Sequence, residues 1–153
     1  MCTVREMRER VEALKSAIIQ IAGECMLEEK EQIVGLLVAQ QYNEGVDSSN
    51  TPLRPYSPPY FKHKQLAGLP TKTNLNETGE FQSTMELRVN GDEYEIQSPS
   101  RTDEGEYKSD WLDRWNESGG GSDVMTLTQD NKSRVFPIIE ESFVIKLRER
   151  LGI

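Results

Sequence analysis

The chain has 153 residues, 35% of them apolar, a formal charge of −8 and a mean hydropathy of −0.66, which fits one domain with a modest core and argues against a second. No window approaches the roughly 20 apolar residues of a membrane span, and the charged start from Met1 to Arg10 is unlike a secretory leader, so a cytosolic chain is expected. Cys2, Cys25 and the single His63 offer neither a disulfide framework nor the ligand spacing of a zinc site, and no metal or cofactor is expected.

Met7, Val11, Leu14, Ile18 and Ile21 recur at spacings of four and three, which predicts an amphipathic helix. A second helix is predicted with Ile33, Leu36, Leu37 and Gln40 on one side, and with Glu28, Glu29 and Glu31 at its positive dipole end. Gly23 is the expected break between them, and both stripes are read as core packing. Together these fill a helical segment over 1–42.

From 43 to 73 the composition changes to Gly, Ser and Asn followed by Pro52, Pro55, Pro58, Pro59 and Pro70, which predicts an extended arm. Tyr56, Tyr60 and Phe61 give it aromatic surface, so it is expected to lie against something. No acid falls between Ser48 and Asn76, while Arg54, Lys62, Lys64 and Lys72 do. Residues 74–124, by contrast, carry a net −9. Arg54, Tyr56, Tyr60, Phe61, Lys62 and Lys64 are therefore the candidate contacts, either to the chain's own acidic region or to an acidic neighbour. The overall charge disfavours general nucleic-acid binding, which needs cations to displace phosphate counterions.

Met85, Leu87 and Val89 alternate with charged residues, then Asn90-Gly91 precedes the alternating Tyr94 and Ile96, which predicts a β-hairpin turning at Asn90-Gly91. Two strands alone are marginal, so further strands or helix cover are required. Residues 101–108 read as a charged loop. Ser109 is the expected cap of a short helix whose Trp111, Leu112 and Trp115 anchor it to the sheet. Gly119, Gly120 and Gly121 read as a flexible link without the Gly-Lys-Ser/Thr of a phosphate loop. Thr128 is the expected N-cap of a last helix carrying Phe136, Ile139, Phe143, Leu147 and Leu151, with a kink or restart at Pro137. The expected fold is a single α+β domain over 1–153: N-terminal helices, a proline-rich arm, a small antiparallel sheet with a short helix over 74–127, and a C-terminal helix over 128–153.

No nucleophile elbow, no cysteine in a nucleophile setting and no base near a nucleophile stands out, so a non-enzymatic role is expected. Asp92, Asp103, Asp110 and Asp113 lack the spacing of a calcium loop.

The order of motifs resembles tailed-bacteriophage virion-morphogenesis and tail-completion proteins over residues 40–99. It runs from Gln40–Gly45 through Thr51-Pro52-Leu53, Tyr56-Ser57-Pro58 with Tyr60 and Lys62, and Leu75-Asn76-Glu77-Thr78-Gly79-Glu80-Phe81, to the strands. Leu75, Thr78, Gly79 and Phe81, with the Asn90-Gly91 turn, are the structural motif residues. Trp111-Leu112 and Met125–Thr128 before a last helix resemble the late part of such proteins, whereas Glu80-Phe81 stands where they commonly carry Gly-Arg-Leu. The resemblance implies a ring-forming protein of the head-tail connector, neck or tail, found in the virion and in host cytoplasm before assembly. Its partners would be copies of itself and neighbouring connector or tail proteins, with nucleic acid only as DNA passing through the ring. The alternative is a small acidic cytosolic adaptor or inhibitor that binds a basic protein.

Overall fold

A computed structural model of the chain describes residues 2–153. Helix α1 spans Val4–Glu28 and α2 spans Lys30–Ala39. At the start of α1 the Glu6 N–H donates to the Thr3 hydroxyl at 3.2 Å while the Thr3 N–H donates to the Glu6 carboxylate at 2.7 Å, which satisfies donors that helix geometry leaves free. The expected break at Gly23 is absent. A side chain there would stand 3.0 Å from Val89 Cγ1, so Gly23 is the place where the helix meets the hairpin rather than where it stops. The interruption is one residue long and falls at Glu29, whose φ of −100° and ψ of 20° leave the helical range.

A π-helical turn, Gln40–Glu44, closes α2 and turns both Gln40 and Gln41 inward to full burial. Gln40 donates to the Thr126 carbonyl at 3.1 Å and accepts from the Thr128 N–H and the Asn131 amide at 2.9 and 3.0 Å. Gln41 donates to the Val124 carbonyl at 2.8 Å and accepts from Gln82 at 3.2 Å. Two adjacent amides thus tie α2 to two distant stretches of chain.

Strands β1 (Glu86–Asn90) and β2 (Glu93–Gln97) form a two-stranded antiparallel sheet. Its turn is centred on Gly91 and Asp92, one residue later than expected. Positive φ at Gly91 alone is the arrangement of a type II′ turn. The reason is register. A turn at Asn90-Gly91 would set Glu86 against Glu95, whereas the observed register pairs Arg88 with Glu95, Leu87 with Ile96 and Val89 with Tyr94. The cover that two strands require comes from α1 and α2, which pack on β1.

Helix α6 (Gln129–Leu151) is capped by Thr128 as expected and runs without a break through Pro137. It lies antiparallel to α1 and α2: Asn131 meets Gln40 near its start, and Lys146 meets Glu24 and Glu28 near its end. Ile21, Cys25, Ile33, Leu37, Phe81, Leu87, Ile96, Val135 and Ile139 are buried together between these elements.

The stripe on α1 joins this core only from Ile21 onward. Residues 2–16 are all exposed, with Met7 59%, Val11 58%, Leu14 41% and Ile18 37% accessible. The expectation that the whole stripe is core is therefore corrected. Because α6 reaches Glu24 and Glu28 only near its own end, the first turns of α1 extend past any element that could cover them.

The proline-rich segment is irregular on either side of a helix, α3 (Pro58–Leu66), which was not expected. Pro58 and Pro59 open that helix where a missing N–H costs nothing. The segment is held down by Asp47, which is fully buried. Its carboxyl oxygens accept from the backbone N–H groups of Ser49, Thr51 and Ser122 at 3.0, 3.0 and 2.7 Å and from the Asn116 amide at 3.2 Å. Asn116 belongs to α5 (Lys108–Ser118), which begins at Lys108 after Tyr107 rather than with the expected cap at Ser109. The triple glycine is also more than a flexible link, since a Cβ on Gly121 would collide with the Asn116 amide and with Asp47. Replacing Asp47 by Ala strands four donors, and we expect a loss of about 3 kcal/mol in unfolding free energy. Urea titration of the two proteins checks this, and an unchanged midpoint would show that the node is dispensable.

Candidate functional site

An open cleft of about 790 Å3 lies between α3, the turn at 75–79, the short helix α4 (Glu80–Ser83), the loop at 102–104 and α5. Its floor is apolar, with Leu75 and Phe81 buried there. Its back wall is a run of aromatic rings. Tyr60 meets Tyr56 edge-on at 4.9 Å, Tyr56 stacks towards Trp115 at 6.4 Å, and Trp115 lies parallel to Trp111 at 6.2 Å. Trp111, at 45% accessibility, is the open end of that run. The tryptophans therefore lean on the segment at 54–60 rather than on the sheet, as had been expected of them.

Two cations brace the wall from behind. The Arg54 guanidinium stands 5.8 Å from the Trp115 ring and donates to the Trp115 carbonyl and the Ser118 hydroxyl at 3.1 and 2.8 Å. The Lys64 ammonium is wholly buried, 4.8 Å from the Tyr56 ring centre, and donates to the Asn76 carbonyl at 2.5 Å and to Asn74 Oδ1 at 3.3 Å. A buried lysine requires such partners.

The rim is acidic. Tyr60 donates its hydroxyl to Glu77 at 2.9 Å and His63 Nε2 lies 3.2 Å from the same carboxylate. The Tyr60 bond, followed by His63, holds Glu77 below the usual carboxylate range, while burial first and Glu77 second push the Tyr60 phenol up. Glu77 is thus a fixed negative charge. Glu80, with Lys108 at 3.7 Å, and the exposed Asp103 and Glu104 complete the rim.

Of the candidate contacts, Tyr56 and Tyr60 line the cleft, Lys64 is buried behind them and Arg54, itself exposed, braces Trp115, whereas Phe61 and Lys62 are exposed and lie outside the lining. Lys64 is consumed within the chain, as is Lys72, which donates to the Glu44 carbonyl at 2.8 Å. Leu75, Thr78, Gly79 and Phe81 line the cleft, and Asn90 and Gly91 sit apart at the hairpin turn. Glu77 stands in the sequence as part of the 75–81 motif, Asp103 as one of four acids without calcium-loop spacing and Glu104 as part of a charged loop; none of the three is legible there as a rim residue. No local signal marks Glu77, because Tyr60 and His63 share a helical face only once α3 is known. Among the described residues no three His, Cys, Asp or Glu side chains converge as metal ligands would. The arrangement suits an apolar surface flanked by cations.

No family model, curated protein or solved structure matches the chain.

Beneath the cleft, on α5, Asp113 is pushed up to about 6, first by burial and then by Asp123, Glu117 and Asp110, against the opposing bond from the Val124 N–H at 2.6 Å. An acid whose folded pKa lies above its unfolded 3.8 binds more protons when folded, so its contribution to stability falls as pH rises from about 4 to 6. Asp113→Asn keeps an acceptor for Val124 and removes the titration. We expect the variant to melt higher than wild type at pH 7.5 and not at pH 3.5. Equal differences in melting temperature at both pH values would refute this.

Proposed function

We propose that this chain is a non-enzymatic assembly protein that works through subunit-to-subunit contacts, of the head-tail connector or tail kind that its motif order resembles. The observation that carries the reading is the uncovered stripe on α1. Each apolar side chain moved from water into a contact contributes roughly 1.5–3 kcal/mol, and a continuous exposed row of them marks an interaction surface. The uncovered part of α1, from Val4 to Ile18, is itself of the length at which an isolated helix is marginal in water. Docking both covers the stripe and secures the helix.

The resemblance over residues 40–99 supports a place in the virion, with host cytoplasm as the site before assembly. Partners on this reading are copies of the chain and neighbouring connector or tail proteins, and DNA only as it passes through an assembled ring. Among the described residues no helix is long and apolar enough to cross a membrane. The acidic rim of the cleft favours a second reading, an adaptor or inhibitor that engages a basic protein.

Light scattering across a concentration series, at low and high salt, tests the first reading. We expect mass to rise with concentration, and Leu14→Asp to weaken association by about tenfold or more with an unchanged melting temperature. A strict monomer throughout would overturn self-assembly and leave the basic-partner reading.

A further inference from the structure

We infer that the projecting half of α1 docks in the aromatic cleft of a second copy of this chain, a head-to-tail contact that leaves one helix and one cleft free at the ends of each pair. The inference rests on the assembly reading and names the two surfaces involved.

The stripe itself excludes the simplest alternative, pairing with its own counterpart. Val4, Met7, Val11, Leu14 and Ile18 keep a strict three-four spacing, with β-branched residues alternating with Met and Leu, as in the seam of a two-stranded coiled coil. The residues beside that seam are Arg8 and Lys15 on one flank and Arg10 on the other. The acids Glu6, Glu9 and Glu12 lie further round, and Glu9 is paired with Arg5 at 3.0 Å. A parallel pair would set Arg10 against Lys15 of the other helix, and an antiparallel pair would again set cation against cation. Like charges across a seam are unfavourable. The stripe needs an apolar surface edged with acid.

The cleft is such a surface. It has a buried apolar floor, an exposed Trp111, and Glu77, Glu80, Asp103 and Glu104 at its edge. Helices dock in grooves by anchors at this spacing, and the four anchors Met7, Val11, Leu14 and Ile18 span about 16 Å of helix. Within one copy the stripe is bare, and α1 packs on α2, α6 and β1, none of which lines the cleft. A contact between two different patches is heterologous, and such contacts close into rings when the rotation between copies permits.

Two disabled variants mixed together test this. Leu14→Asp removes the helix anchor, and the pair Asp103→Lys with Glu104→Lys reverses the charge of one side of the rim at exposed positions whose side chains make no hydrogen bond or ion pair among the described residues. Circular dichroism and melting temperature establish that each is folded, and Trp111→Ala serves as a second cleft variant. We expect each variant alone to be monomeric at concentrations where wild type assembles, and an equimolar mixture to give a dimer and nothing larger. Adding Arg8→Glu and Arg10→Glu to the rim-reversed chain should restore assembly. If the Leu14 variant stops assembly while both cleft variants assemble as wild type does, the stripe takes another surface and the inference fails with the assembly reading intact. If wild type never assembles, both fail.

Discussion

The arrangement of this protein depends on one buried acid without a cation. Asp47 is satisfied by three backbone N–H groups and the Asn116 amide, donors supplied by a tight loop, a helix end and a glycine-rich connection far away in sequence. Removing an acid from water demands that its acceptors be filled, so these three pieces have little choice of relative position. The demand also explains a glycine: any side chain at Gly121 would enter the space the carboxyl group and amide need. Once α5 is fixed against the 47–51 loop, Trp115 comes within reach of Arg54 and Tyr56, and the cleft acquires its wall.

A second consequence concerns charge. The arm is the most basic stretch of an acidic chain, and three of its four cations are spent on internal acceptors: Arg54 on α5, Lys64 on Asn74 and Asn76, and Lys72 on the Glu44 carbonyl. The acids opposite are left largely uncompensated at the surface. Buried amides do similar work elsewhere, with Gln40 and Gln41 joining α2 to the start of α6 and to α4. The interior is therefore unusually directional for a small domain, since hydrogen bonds specify position where apolar contacts alone would tolerate sliding.

Periodic features were legible in the sequence. The α+β class, the existence of α1, α2, the hairpin and α6, and the Thr128 cap all follow from spacing and capping chemistry. What was not legible depended on long-range partners. The stripe on α1 has the same spacing where it is buried at Ile21 as where it is bare at Val11, because periodicity reports that a face is apolar and not whether anything covers it. Gly23 looked like a terminator, but its role is set by Val89, 66 residues away. Asn90-Gly91 is a strong local turn signal and points one residue early, and the cost of setting Glu86 against Glu95 outweighs it. Helix α3 was hidden by its own prolines, which mark a helix start as readily as an extended chain. The cleft could be seen only in parts, since its wall, floor and rim come from four separate stretches.

The seat of Gly23 on Val89 has a mechanical side. Between Gly23 and Val4 the helix runs about 28 Å as a rod anchored at one end, and the contact with the hairpin is its fulcrum. A tilt of about 10° there moves the tip by about 5 Å at 1.5 Å rise per residue. The bulk of Val89 on β1, together with the packing of α1 on α6, therefore sets the bearing of the rod, and small changes in that bulk would steer it without altering a single residue of its exposed face.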